Sequence, residues 1–136
     1  MTTMNLSLSF MLAVEDASTA SQWYVAALGA NELWSLGSVR GLEIGGATFL
    51  LHESNDRGFS SPSVAGLTTV RIEVFVDDPV VFIERVMAHG TAIDAHGVES
   101  HTVPWGEHRQ GGFTDPFGHI WLVGDRSPLT RHSDEG

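Results

Sequence analysis

Cysteine is absent from the 136 residues. Its absence removes a disulfide framework, a thiolate metal site and a cysteine nucleophile. A cysteine-free chain fits a reducing compartment, and the expected location is cytoplasmic. Long apolar runs are missing too. None approaches the roughly 20 residues a membrane helix needs, and Met1 to Phe10 lacks the basic segment and apolar stretch of a secretory leader. Neither a membrane span nor a signal peptide is expected. Positive charge is scarce: 7 Lys+Arg stand against 17 Asp+Glu, a formal net charge of -10. Such a balance repels nucleic acid and anionic lipid and leaves cationic or neutral molecules as favoured partners. Phosphate-cradling glycine loops are missing, since Gly45-Gly46 has no lysine after it, and so is a Gly-x-Ser-x-Gly elbow.

What the chain does have is a globular composition, 42 % apolar and 18 % charged, and an internal repeat. Ser9-Phe10-Met11-Leu12-Ala13-Val14-Glu15-Asp16 is an apolar, strand-like run with an acidic end, and Arg71-Ile72-Glu73-Val74-Phe75-Val76-Asp77-Asp78 repeats that layout. A helical stretch follows each. The first carries Trp23, Val25 or Ala26, and Leu28 at helical spacings and ends at Gly29, where a C-cap belongs. The second opens at Asp78-Pro79, carries Val81, Phe82, Val86 and Met87 as its apolar stripe, and closes at Gly90. Short segments between glycines come next: 32–36, 39–44 and 48–52 in the first half, and about 92–98, 108–113 and 119–123 in the second.

Each half therefore reads β-α-β-β-β, and the fold class is α+β. Module one is expected over about 6–53, a linker over 54–66 and module two over about 67–124, together one domain of residues 1–124. The polar tail 125–136 follows, frayed from Arg131.

Alternation along strands sorts the side chains into two sets. Phe10, Leu12, Val14, Phe49, Leu51, Ile72, Val74, Val76, Trp121 and Val123 are all apolar and should pack under the helices, each contributing about 1.5–3 kcal/mol when fully buried. The opposite parity mixes Ser9, Met11, Ala13, Leu50, His52, Arg71, Glu73, Phe75, Ile120, Leu122 and Gly124. Ionic groups such as Arg71 and Glu73 are costly to bury dry, so that face is expected to line a wet ligand pocket.

These features resemble the vicinal oxygen chelate superfamily, which includes glyoxalases, bleomycin-resistance proteins and dioxygenases. The resemblance rests on the paired modules, on Trp23-Tyr24-x-x-x-Leu28-Gly29, and above all on Thr114-Asp115-Pro116-Phe117-Gly118-His119-Ile120-Trp121 before the last strand. Pro104-Trp105-Gly106-Glu107 resembles the PhnB-like branch. The resemblance implies a half-open barrel around a ligand pocket, with helices on the convex side and commonly a homodimer. Metal-using members would have ligands at the positions of Ser9, Leu50, Arg71 and Leu122. Leucine has no donor atom, a guanidinium is cationic, and a lone serine hydroxyl is a poor ligand for a divalent ion. No metal and no cofactor is therefore expected. His52 is the best alternative ligand, with His96, His101 and His108 placed in a loop-rich stretch from Ala95 to Gly112, and His89 assigned to a helix C-terminus.

Three functions follow as expectations. The first is metal-independent binding of a small organic molecule by Ser9, Met11, Leu50, His52, Arg71, Glu73, Phe75 and Leu122, with Trp105 and His108 in a loop over the mouth. An antibiotic-like, aromatic or cationic natural product would suit it. The second is a metal-independent lyase, isomerase or cyclase with Glu73 as base, Arg71 as oxyanion partner and His52 assisting. The third is a metal-dependent glyoxalase-like lyase or dioxygenase.

Overall fold

The computed structural model describes residues 5–55, 57–89 and 94–130. The chain divides into two compact units, Met1–Ser61 and Pro62–Gly136.

Unit one runs β1 (Phe10–Val14), α1 (Ala17–Leu28), β2 (Asn31–Ser35), β3 (Val39–Ile44) and β4 (Ala47–Glu53). Asp16 caps α1, its carboxylate accepting from the Thr19 N–H at 2.9 Å. Gly29 ends the helix at φ 74, in the left-handed region that a side chain would strain. The four strands form one sheet in the order β1-β4-β3-β2, with β1 parallel to β4 and the other pairs antiparallel. Leu12, Val14, Leu42, Phe49 and Leu51 are buried with Ala20, Trp23, Tyr24, Ala27 and Leu28 of α1. Tyr24 meets Phe49 edge to face, ring centres 5.9 Å apart.

Unit two runs α2 (Pro62–Ala65), β5 (Arg71–Phe75), α3 (Pro79–Ala88), β6 (Asp94–Val103), β7 (Gly106–Thr114), β8 (Ile120–Gly124) and α4 (Ser127–Thr130). Asp78 caps α3 through the N–H groups of Val80 and Val81, and Pro79 fills the first turn, where a missing N–H costs nothing. The sheet order is β5-β8-β7-β6, with β5 parallel to β8. Ile83 and Val86 of α3 are buried with Phe113, Trp121 and Val123, and the Phe113 and Trp121 rings stack 6.2 Å apart. A Cβ on Gly111 would stand 2.8 Å from Ile83 Cδ1, so the helix rests directly on this glycine.

The Asp-Pro-Phe-Gly turn before β8 is built around Asp115. Its buried carboxylate accepts from the N–H groups of Phe117 at 2.9 Å and His119 at 3.0 Å, and from the Trp121 indole N–H at 2.8 Å. Gly118 sits at φ 93, and a Cβ there would meet the Ser63 backbone nitrogen at 2.5 Å.

The fold is α+β with two β-α-β-β-β modules, as the repeat predicts, and each sheet is open, with its first and second strands in chain order at the two edges. Several local expectations are corrected. Val25 and Ala26 point outward, and Tyr24 and Ala27 take the buried stripe of α1. In α3 the buried set is Pro79, Ile83 and Val86, while Val81 and Met87 are exposed. Phe10 is exposed because it opens an edge strand. The stretch 95–112, expected to be loop-rich, is a long hairpin of β6 and β7 with a register shift between His96 and Glu99. Residues 62–65 form a helical turn inside the predicted linker. Gly90 and the tail from Arg131 lie outside the described residues.

Candidate ligand site

In unit two, Gly111 faces α3, and Phe113, Trp121 and Val123 share that buried side. Alternation and register put His108, Gln110 and Gly112 of β7, Leu122 and Gly124 of β8, and Arg71, Glu73 and Phe75 of β5 on the opposite face, away from α3. Gly112 and Gly124 leave that face without side chains at two neighbouring strand positions, and the polar groups turn into the space. Glu73 Oε2 accepts from the Gln110 amide at 2.9 Å and lies 3.2 Å from His108 Nε2. His108 Nδ1 stands 2.8 Å from Asp125 Oδ1 and 3.2 Å from Ser127 Oγ. The ring itself is buried. A Cβ on Gly124 would collide with Glu73 Oε2 and would stand 2.8 Å from His108 Cε1, so only glycine admits this packing.

Asp125 anchors the arrangement. Its Oδ2 accepts from the Arg109 N–H and its Oδ1 from the Ser127 N–H, each at 3.0 Å. Partial burial works to raise the Asp125 carboxyl, but hydrogen bonds from Arg109, Ser127 and His108 outweigh it and hold the group well below the usual carboxylate range. A lowered carboxyl adds stability above its unfolded-state value near ~3.9, and that stability drains away as pH falls through the folded-state value. Asp125→Asn should therefore cost about 1–3 kcal/mol at pH 7 and flatten the decline between roughly pH 5 and pH 2. Urea midpoints at several pH values test this; parallel wild-type and variant curves would contradict it.

The structure relocates several sequence-predicted residues. Glu73 engages His108 and Gln110, not Arg71. Residues two apart on a strand are separated by roughly 6.5–7 Å, whereas His108 and Gln110 reach Glu73 across Gly124. Among the described residues the Arg71 guanidinium is exposed and has no hydrogen-bond or ion-pair partner. His108 lies in strand β7, not a loop. Trp105 occupies the tight turn between β6 and β7, half-buried, with its indole N–H donating to Ser127 Oγ at 3.0 Å. Phe75 and Leu122 are half-buried. Sequence reasoning missed Gln110, Asp125 and Ser127; alternation from His108 along β7 could have found Gln110.

Ser9, Met11, Leu50 and His52 belong to unit one. Register and alternation place Met11 of β1 and Leu50 and His52 of β4 on the face away from Leu12, Phe49 and Leu51, together with Gly41 and Trp34. The Trp34 indole lies flush on Gly41, and no Cβ would fit beneath it. His52 Nδ1 donates to the Glu53 carbonyl at 2.7 Å, and the Ser9 hydroxyl donates to the Thr48 carbonyl at 3.1 Å. The positions implied for a metal thus carry a committed hydroxyl, two leucines and a guanidinium, which do not fit a divalent ion. Among the described residues no group of three or more His, Asp or Glu stands close enough to hold one, and no helix is long and apolar enough to cross a membrane.

Solved structures that share this fold include fosfomycin resistance and glyoxalase-related proteins. The fosfomycin resistance protein FosX of Listeria monocytogenes, crystallised with Mn(II) and sulfate, superposes with a TM-score of 0.69 at 16 % identity, covering 96 % of this chain and 99 % of its own. TioX of Micromonospora sp. ML1 gives 0.66 at 23 % identity over 88 % of this chain and 95 % of its own. A glyoxalase/bleomycin resistance protein/dioxygenase from Nocardioides gives 0.62 at 19 % identity over 91 % and 85 %. No protein-family profile matches the chain. In sequence, the chain belongs to the family of the uncharacterized proteins Mb0911c of Mycobacterium bovis and Rv0887c of Mycobacterium tuberculosis. Each is 33 % identical over 128 residues, spanning 87 % of this chain and, respectively, 82 % and 73 % of theirs.

Proposed function

We propose that this protein binds a small organic molecule without a metal. The reading is supported chiefly by the face of unit two's sheet that turns away from α3. There, a preorganised Glu73–His108–Gln110 cluster stands beside Arg71, which has no partner among the described residues. Polar groups fixed by their neighbours lose little freedom when a ligand arrives. Arg71 and Glu73 give it charge recognition, while Phe75 and Leu122 offer apolar contact. In unit one, Met11, Leu50 and Trp34 offer an apolar and aromatic surface, with His52 Nε2 as a polar point. The fosfomycin-resistance likeness is consistent with an antibiotic-like ligand, the net charge of -10 favours a cationic one, and the Trp34 surface favours an aromatic one.

Titrating purified protein with a panel of cationic and aromatic natural products should give a saturable change in tryptophan fluorescence. The variants Trp34→Phe and Trp105→Phe tell which unit's surface reports it. A flat response across the panel would overturn the binding reading. A stoichiometric divalent ion in elemental analysis would overturn metal independence.

A further inference from the structure

We infer that His108 is a pH-operated clasp on the ligand face of unit two: when its imidazolium gives up a proton, Glu73 is released and the face turns more negative, which tightens its hold on a cationic ligand. The inference rests on the ligand-binding reading and adds regulation to it. Two features carry it: a buried imidazole set between two carboxylates, and the unequal firmness of its two ends.

Both ring nitrogens of His108 face carboxylate oxygens, with Asp125 Oδ1 2.8 Å from Nδ1 and Glu73 Oε2 3.2 Å from Nε2. Only the imidazolium has an N–H on each nitrogen, so only that form donates at both contacts. The neutral ring keeps one proton and turns a lone pair toward the other oxygen. Asp125 is the firmer end. Partial burial works to raise its carboxyl, but the N–H groups of Arg109 and Ser127 hold it ionised well below the usual carboxylate range. Glu73 Oε2, by contrast, has only the Gln110 amide besides His108 among the described residues, and its side chain is 24 % exposed. The last proton therefore stays on Nδ1, at the shorter contact with the firmer anion, and the Glu73 end opens.

The charge on this face changes with it. While His108 is protonated, Glu73 and Asp125 are balanced by His108 and Arg71; afterwards Arg71 alone opposes the two carboxylates. The other titratable or charged groups facing the ring side are His101, directly across the ladder from His108, and Glu99, both exposed on β6. Strand β8 contributes Leu122 and Gly124 there, and α4 carries no titratable side chain.

NMR of the ligand-free protein across about pH 5–8, where histidines exchange their protons, reads the clasp directly. The side-chain carboxyl carbon of Glu73 should shift in step with the imidazole nitrogens of His108, and Nε2 should emerge as the bare nitrogen. A Glu73 signal that stays still while His108 titrates, a proton retained on Nε2, or an imidazole that keeps its charge throughout would each overturn the proposal. Binding is followed with berberine, a planar cation whose charge is constant over this range and whose emission rises on leaving water. Its Kd is expected to fall about 5–10-fold from pH 5 to pH 8. His108→Gln, which has no proton to lose, should remove most of that dependence; equal tightening in the folded variant would contradict the clasp. Should the variant not fold, the wild-type NMR and affinity curves decide. Berberine bound with a level Kd sinks the regulation alone, whereas no berberine bound at any pH sinks both readings.

Discussion

Replacing Asp115 with alanine is expected to lower stability by about 4 kcal/mol. The carboxylate is fully buried and accepts three N–H groups, two from the backbone of its own turn and one from the Trp121 indole. Alanine strands all three donors, each at about 1–3 kcal/mol, and loosens the turn that delivers β8 to the sheet. Against a typical total of about 5–15 kcal/mol, that is a large fraction, and the melting midpoint should drop by roughly 10–20 °C. Asparagine keeps one acceptor oxygen and should fall between wild type and alanine. Thermal and urea unfolding followed by circular dichroism check this, with the near-ultraviolet band of Trp121 as a local report. A loss within about 0.5 kcal/mol, the range of an ordinary surface change, would mean that the turn is held by other groups.

Gly124→Val should dismantle the candidate site while leaving the rest of the sheet in place. Gly124 is not in the left-handed region, so the backbone tolerates any residue, and the effect is purely one of space. The first added carbon already collides with the Glu73 carboxylate and with the His108 ring, and valine adds two more. The expected cost is about 1–3 kcal/mol of overpacking, with displacement of Glu73 from His108. The imidazole nitrogen resonances of His108 should shift and those of His52 should not. Gly124→Ala gives the same pattern at smaller amplitude. Unchanged His108 resonances in the valine variant would show that Glu73 and His108 do not meet over this glycine.

The repeat, the class of fold and most strand positions were legible in the sequence because they depend on alternation and on punctuating residues. Gly29 and Asp78-Pro79 mark helix ends by their own backbone chemistry, and β3 falls on Val39 to Ile44 as read. Helix faces were harder. Val25 and Tyr24 are both apolar enough to pack, and only the position of the sheet beneath α1 selects Tyr24. The full length of the β6 and β7 hairpin was not legible: segments 92–98 and 108–113 were expected, but the pairing runs on to Val103 and Gly106, with Gly111 in close contact with α3 and Gly112 within the pairing. Glu73 and His108 were each visible as candidates, but their meeting was not, because nothing short of the β5-β8-β7 order places them across a shared glycine. Asp125 looked like the start of a polar tail; its role comes from main-chain donors, which leave no trace in residue identity.

The joining of each module's first strand to its last has a consequence for biosynthesis. Because, among the described residues, β1 pairs with β4 alone and β5 with β8 alone, neither sheet can be finished until its final strand has emerged from the ribosome, a loop closure of high contact order that sets a slow step. Once Glu53 is out, every ladder of the first sheet has both of its rails, and that half can close during the seconds it takes to translate the remainder.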